Sequence, residues 1–215
     1  MPRPPKKRAY DSSTRRAAAQ LTRHSILENA RRLFLENGYA ATTMPAVARA
    51  ADVALDTVYA TVGTKAQLFR LLVEAALSGQ DTEVRAQERD YVRAIHAEPN
   101  AARKLQIYAS ALSELQPRLA PLFQVLQAAA PLDADLKALW QEISRRRAAN
   151  MRLLADNLVA TGQVRGDLAP SRVADVLWSL NSPELYLLLV DQRGWRAEDF
   201  GLWLGEAWRR LLLEP

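Results

Sequence analysis

The chain has 215 residues, of which 49% are apolar and 25% are charged, and it contains no cysteine. This composition is typical of a globular protein with one or two domains, and it excludes disulfides and thiolate metal sites. The apolar runs are far shorter than the roughly 20 residues that a membrane-spanning helix needs, so we expect no membrane span. The N-terminus lacks the apolar stretch of a signal peptide, which favours a cytoplasmic protein.

The excess positive charge is concentrated at the N-terminus. Residues 1–23 contain seven Lys and Arg residues and one Asp, a net charge of +6, so the rest of the chain contributes −1 to the total of +5. Pro2, Pro4 and Pro5, followed by polar residues, indicate a disordered basic arm over 1–20. Such an arm is attracted to nucleic acid by counterion release, or it is a solvated tail that only aids solubility.

Local stop and start signals divide the first 80 residues into short helices. Gly38 is a left-handed stop, Thr43 is an N-cap, and Thr64 with Gln67 has the spacing of a capping box. The predicted helices of this part cover 21–37, 44–51, 55–61 and 65–79. Apolar residues recur at helical spacing in each of them.

Beyond Gly79 the predicted helices are longer, and prolines mark the expected breaks between them. They cover 81–97, 100–115, 118–129, 133–161, 171–190 and 197–213. No alternating strand pattern of useful length is present, so the sequence predicts an all-α fold. The change in helix length near residue 80 separates a small unit at 21–80 from a helical body at 81–215.

The short helices at 44–51 and 55–61 predict a helix-turn-helix, the compact unit that inserts one helix into the major groove of DNA. Val47 and Val58 supply packing between the two helices. The link between them needs a residue at positive φ, where Asp52 is among the few tolerated substitutes for Gly. The outer face of the second helix is predicted to display Leu55, Asp56, Thr57, Ala60 and Thr61.

The segment from Ile26 to Leu68 resembles the DNA-binding domain of the tetracycline-repressor (TetR) family. The matching residues are Ala30, Leu33, Phe34, Gly38, Tyr39, Thr42, Thr43, Val47, Ala48, Ala51, Val53, Thr57, Val58, Tyr59, Lys65 and Leu68. The resemblance implies a homodimer that places two helix-turn-helix units on a near-palindromic operator. It also implies that the body, 81–215, serves ligand binding and dimerisation.

The resemblance implies two sets of DNA contacts. Thr43, Tyr59, Thr61 and Lys65 align with positions that touch phosphate, and Leu55, Asp56, Thr57 and Ala60 align with the surface that faces the groove. Alternatively, Asp56 only favours the helix N-terminus through the helix dipole, and Tyr59 is a packing residue with a hydrated hydroxyl.

This sequence departs from the family pattern at three positions. Asp52 replaces the usual Gly, Val62 replaces the usual aromatic residue, and Ala54 stands where Ser or Thr often caps the recognition helix. An uncapped helix leaves an N–H group free, which is available to a phosphate.

Large apolar side chains on several helices of the body predict a ligand pocket with few polar groups. The candidate pocket residues are Tyr91, Tyr108, Phe123, Trp140, Met151, Trp178 and Asn181. The alternative is that Asn181 and Glu184 satisfy backbone groups freed by Pro183, or lie at a dimer surface. Arg145, Arg146 and Arg147 are interpreted as a solvated face rather than an anion site.

Broad apolar stripes on the last two helices, about 171–190 and 197–213, predict either the completion of the monomer core or a four-helix dimer seam. The stripe of the last helix consists of Phe200, Trp203, Leu204, Ala207, Trp208, Leu211 and Leu212. The family resemblance favours the seam, and two-headed DNA binding requires a twofold interface.

Taken together, these features favour a sequence-specific transcriptional regulator, a repressor that a small, largely apolar effector releases from double-stranded operator DNA. An architectural DNA-binding protein without effector control is the alternative. His24 and His96 are the only histidines, and no nucleophile motif or phosphate loop accompanies them, so we expect no enzyme activity, cofactor or metal.

Overall fold

The computed structural model describes residues 12–78 and 85–214 of the chain. The α-helices are α1 (Ser12–Ala41), α2 (Met44–Ala50), α3 (Leu55–Val62), α4 (Lys65–Ser78), α5 (Asp90–Ala97), α6 (Ala101–Ala129), α7 (Ala134–Val159), α8 (Pro170–Leu180), α9 (Pro183–Tyr186) and α10 (Ala197–Leu212). In these residues the β pairing is limited to one isolated antiparallel bridge, between Val164 and Leu213. The predicted all-α fold class is confirmed.

The first helix begins earlier than the sequence analysis expects. A disordered arm over 1–20 is predicted, but α1 is already helical from Ser12, and residues 1–11 of that arm lie outside the described part of the chain. Arg and Ala are strong helix formers, and the run from Arg15 to Ala19 consists of them alone. The expected left-handed stop is present at Gly38, which has φ 75° and interrupts the helix.

The predicted break at Pro117 is wrong. The expected helices 100–115 and 118–129 form one continuous helix, α6, which contains both Pro117 and Pro121. The buried residues of α6 keep their helical spacing before and after both prolines. They include Leu105, Tyr108, Leu112, Leu115, Leu119, Leu122, Phe123 and Leu126. Because α6 packs against α1, α4, α5, α9 and α10, tertiary burial outweighs the loss of two backbone hydrogen bonds.

Two other predicted helices have different bounds. The prediction for 81–97 is confirmed only from Asp90 onwards, because residues 79–84 are not described and residues 86–88 form a single 3₁₀ turn. The prediction of one helix over 171–190 is wrong, since α8 ends at Leu180. Ser182 then caps α9, with Pro183 in its first turn, and a π-helical turn follows over Leu187–Gln192.

Helices α1 to α4 form a head with an aromatic core. The ring of Phe34 stacks on Tyr39 at 5.6 Å and meets the edge of Phe69 at 5.2 Å. The buried hydroxyl of Thr42 donates towards the carbonyl oxygens of Leu33 and Gly38. It thereby holds the end of α1 against the helical turn that precedes Gly38. The core of the head continues into the C-terminal half of α6 and the N-terminal half of α7, so the head and the body share packed side chains.

The body is built around the contact between α6 and α10. An added Cβ at Gly201 would lie 2.8 Å from the Cβ of Ser113 and 3.2 Å from the carbonyl oxygen of Ala109. Glycine at this position therefore lets the two helix backbones approach closely. At Gly205 the nearest atom, at 2.7 Å, is only the end of the flexible Gln106 side chain.

The stripe of α10 that was predicted to form the dimer seam is divided between two environments. Phe200, Leu204, Trp208 and Leu212 are fully buried within the body, so this part of the stripe completes the monomer core. Trp203 and Leu211 remain exposed on the outside.

None of the helices in the described ranges combines the length and apolarity needed to cross a membrane.

Candidate nucleic-acid interface and ligand cavity

Helices α2 and α3 form a helix-turn-helix with the local features that the sequence predicts. Thr43 caps α2 by accepting a hydrogen bond from the N–H of Ala46 at 3.2 Å. Asp52 has φ 53° and is the only described non-glycine residue at positive φ, as expected for the turn. The N–H of Val53 donates to the carbonyl of Ala48 at 3.0 Å, which closes the turn.

The recognition helix α3 has one buried face and one exposed face. Val58 and Val62 are buried against the head core, which accounts for the aliphatic residue at position 62. Ala54 stands at the N-cap without a side-chain hydrogen bond, as the sequence implies. The exposed side carries Leu55, Asp56, Tyr59 and Ala60, whereas Thr57 and Thr61 are half-buried.

Helix α4 begins immediately after α3, through the predicted capping box. The N–H of Gln67 donates to the Thr64 hydroxyl at 3.2 Å, and the N–H of Thr64 donates to the Gln67 side-chain oxygen at 2.8 Å. This reciprocal pair fixes the direction of α4 relative to the recognition helix.

The four predicted phosphate-contact residues differ in how far their hydrogen-bond donors are available to a phosphate. The side chain of Tyr59 is 48% exposed, and the hydroxyl of Thr43 has a donor left after capping. The hydroxyl of Thr61 donates to the carbonyl of Thr57 at 2.6 Å, so its proton is used within α3.

Lys65 lies over the ring of Tyr39, with its ammonium 4.2 Å from the ring centroid and 3.4 Å from the carbonyl oxygen of Ala40. Partial burial lowers the pKa of Lys65, and the charge of Asp133 opposes that effect. Burial, with the charges of Asp133 and Asp135, raises the pKa of Tyr39 to about 12. The turn between α6 and α7 therefore lies within electrostatic range of the DNA-facing head.

Two ion pairs connect α4 of the head with α7 of the body. Arg70 donates to both carboxylate oxygens of Glu142, at 2.7 and 2.5 Å, in a half-exposed position. One turn further from the DNA-facing end, Arg146 donates to Glu74 at 2.6 Å, and the Glu74 side chain is only 8% exposed.

A cavity of about 340 Å³ lies between α4, α5, α6 and α7. Of the predicted pocket residues, Tyr91, Tyr108, Phe123, Met151 and Asn181 line it.

The two predicted tryptophans do not line this cavity. Trp140 packs on the far side of Phe123, with ring centroids 5.7 Å apart. Trp178 is 39% exposed and lies under the guanidinium of Arg147. Ring size alone predicts burial in a core, but it does not predict which core.

Asn181 holds a buried polar network at one side of the cavity. It donates to the hydroxyl of Tyr108 at 2.7 Å and accepts from Arg147 at 2.6 Å. Its own backbone carbonyl accepts from the Gln116 side chain at 2.9 Å. The interpretation that the Asn181 side chain satisfies backbone groups freed by Pro183 is wrong, because its partners are the side chains of Tyr108 and Arg147. Glu184 is exposed to solvent.

The interpretation of the arginine run as a solvated face is also wrong for two of its three residues. Arg145 is exposed, but Arg146 and Arg147 line the cavity. The spacing contained this information, because Arg147 lies four residues from both Ile143 and Met151, in the middle of the buried stripe of α7. Glu74 was missed for the same reason, since it lies within the apolar face of α4.

No group of three or more His, Asp or Glu side chains suited to a metal ion is present among the residues that the structure places.

A head with a helix-turn-helix, joined by ion pairs to a helical body with an internal cavity, defines a DNA-binding transcriptional regulator. Residues 26–72 match the model of the family described as bacterial regulatory proteins, tetR family. This segment of the chain is therefore similar to that family. A search of curated protein sequences found no significant match.

Solved structures share this fold over nearly the whole chain. NalD, the secondary repressor of the MexAB-OprM multidrug efflux pump in Pseudomonas aeruginosa, is 21% identical, with a TM-score of 0.71 over 91% of this chain and 98% of its own. A SmeT–triclosan complex is 18% identical, with a TM-score of 0.69 over 90% and 92%. A transcriptional regulator from Saccharomonospora viridis in complex with choline is 18% identical, with a TM-score of 0.66 over 91% and 100%.

Proposed function

We propose that the protein is a cytoplasmic repressor that binds operator DNA as a homodimer and releases it when a small effector occupies the body cavity. The observation that carries this proposal is the ion pair between Glu74 and Arg146. Both side chains line the cavity, and Glu74 belongs to the helix that follows the recognition helix. An effector that rearranges this pair changes how α4 is held.

The DNA contacts proposed here follow the exposure of the head. Tyr59, Thr43 and Lys65 contact phosphates, while Leu55 and Ala60 make apolar contacts in the major groove. The placement of Lys65 over Tyr39 supports a positioning contact, because the ammonium is held in one place. Asp56, in the first turn of α3, also stabilises the helix dipole. Thr57 and Thr61 border this surface.

The homodimer is proposed to form through α8, α10 and the segment between them. Large apolar side chains that the monomer leaves exposed on these elements support this surface, because an interface would remove them from water. They are Trp178, Leu188, Leu202, Trp203 and Leu211. In this arrangement α10 serves the monomer core with one face and the dimer with the other.

The division into a DNA-binding unit at 21–80 and a body at 81–215 is proposed as a functional one. It is supported by the position of the helix-turn-helix within the first unit and the cavity largely within the second. The two units share packed side chains, so a change in the body reaches the head without a flexible linker.

The first test is operator binding by gel shift, with a duplex from the promoter region beside the protein's own gene and random DNA as competitor. Specific binding that weakens with salt supports the proposal. Equal competition by random DNA would favour the architectural alternative.

Variants then test the proposed surface. Lys65→Ala is expected to weaken binding and to reduce the slope of log affinity against log salt by about 1. Arg152→Ala, which removes an exposed cation from the body half of α7, is the matched control and is expected to leave both unchanged. A thermal melt of each variant separates loss of contact from loss of fold.

A further inference from the structure

The cavity carries more positive charge than an apolar effector needs. Among the described residues that line it, four are arginines and one is a carboxylate, a net charge of +3 with His96 neutral. The charged residues are Arg85, Arg89, Arg146, Arg147 and Glu74. Glu74, the one carboxylate in this set, is already engaged by Arg146 at 2.6 Å.

Arg147 is held in place by neutral groups. Its Nη2 donates to the side-chain oxygen of Asn181 at 2.6 Å and to the carbonyl of Trp178 at 3.2 Å, and the Trp178 ring lies 5.2 Å away. Its Nε and Nη1 donors have no partner within the residues that the structure describes. The N–H bond of Nε and the two N–H bonds of Nη1 can therefore donate to the oxygens of a carboxylate.

Arg89 and Arg147 converge on the same buried hydroxyl. Burial raises the pKa of Tyr108, while the charges of Arg147 and Arg89 act to lower it, so both guanidinium groups lie within electrostatic range of its oxygen. Arg89 also lies 3.5 Å from the hydroxyl of Tyr91, whose ring stacks on Tyr108.

The remaining wall suits an apolar tail. The face of α6 that lines the cavity extends from Tyr108 to Phe123, about 22 Å along the helix axis. Between these ends the wall consists of Leu112, Leu115 and Leu119, with Gln116 beside them.

We propose that the effector of this protein is an amphipathic organic acid, whose acidic group accepts hydrogen bonds from the unpartnered N–H groups of Arg147 and whose apolar tail lies along α6. This inference rests on the proposed effector function of the cavity and specifies the chemical class of the ligand. It predicts that the cavity discriminates against neutral and cationic molecules of the same shape.

The test compares three probes that share an eight-carbon tail: octanoate, octanamide and octyltrimethylammonium. Binding to the full-length protein is measured by isothermal titration calorimetry at fixed salt. A charge-assisted hydrogen bond predicts that octanoate binds about 10- to 100-fold more tightly than octanamide, and more tightly still than the cation. The pair of 2-naphthoate and 2-naphthamide repeats the comparison with an aromatic tail.

Three variants locate the acidic group. Arg147→Met is expected to weaken octanoate binding by about 10- to 100-fold and to change octanamide binding less than about threefold. Arg145→Met, which removes the exposed neighbour outside the cavity, is the matched control and is expected to leave both ligands unaffected. Arg147→Lys keeps the charge but loses the planar guanidinium with its fixed N–H donors, so an intermediate loss is expected.

The wild-type comparison decides the question even where Arg147→Met fails to fold. Failure of both carboxylates to bind, or equal binding of acid, amide and cation, overturns the inference. The gel shift is run in parallel without ligand. Loss of specific operator binding there refutes the proposed function, whereas specific binding with a cavity that prefers amide or ammonium refutes only the ligand class.

Discussion

Breaking the ion pair between Glu74 and Arg146 is expected to destabilise the protein far more than breaking its neighbour. In Arg146→Met the carboxylate of Glu74, which is only 8% exposed, loses its cationic partner. An unpaired buried charge costs about 3–5 kcal/mol, and access to cavity water reduces this to about 2–3 kcal/mol here. For a chain of this size the melting temperature then falls by about 4–12 °C.

The matched control is Arg70→Met, which breaks the ion pair with Glu142 one turn away. Both of its side chains are about 40% exposed, so the expected loss is below about 1 kcal/mol. The double variant Glu74→Leu with Arg146→Met removes both buried charges and is expected to return to within about 1 kcal/mol of the parent.

The assay is thermal unfolding followed by circular dichroism at one protein concentration, because dimer formation makes the midpoint depend on concentration. Equal destabilisation by Arg70→Met and Arg146→Met would show that burial of Glu74 does not determine the cost. A double variant as unstable as Arg146→Met alone would show that the cost does not come from the orphaned carboxylate.

Three further outcomes follow from the structure. Gly201→Ala is expected to lower the free energy of unfolding by about 1–3 kcal/mol, because the new Cβ would collide with the Cβ of Ser113 and the carbonyl oxygen of Ala109. Gly166→Ala, whose Cβ would have no atom within 4 Å, is the control and is expected to be neutral or slightly stabilising. Urea titration of both variants measures the difference. Hydrogen bonding from Arg70 lowers the pKa of Glu142, so this pair stabilises the fold above the ordinary glutamate pKa near 4.5 and ceases to do so as pH falls through the lowered value. The melting temperature of Arg70→Met should therefore depend less steeply on pH in that acidic range, and an unchanged slope would contradict the assignment. Asp52→Gly is expected to change the free energy of unfolding by less than about 0.5 kcal/mol, because glycine adopts the positive φ of this position more easily but gives the unfolded chain more conformational entropy. Asp52→Val is expected to lower it by about 1–2 kcal/mol, since a β-branched residue is disfavoured at positive φ. Thermal unfolding of both variants measures the difference.

The head could be predicted almost entirely from the sequence because its signals are local. The cap at Thr43, the capping box of Thr64 and Gln67, and the positive φ at Asp52 each depend on residues a few positions apart. Local hydrogen bonding decides such features before tertiary packing forms.

The body was predicted less well because tertiary packing overrides local preference there. Pro117 is a strong local break, yet the apolar spacing on both sides of it is in register, and packing on several neighbouring helices keeps α6 intact. Arg147 was interpreted by its charge, although its place in the apolar stripe of α7 was the better guide. The cavity itself is formed by several helices, and no spacing within one of them predicts where it lies.

The two prolines of α6 also determine where that helix is least stiff. Pro117 and Pro121 cannot donate to the carbonyl oxygens of Ser113 and Pro117, so two successive rungs of the backbone ladder are missing on the longest helix of the body. This stretch begins where the buried residues of α6 pass from the cluster of the body, which includes Leu112, to the cluster of the head, which includes Leu115 and Leu119. Elastic bending of α6 is therefore expected to be concentrated alongside the cavity, at the level where the helix passes from the body to the head.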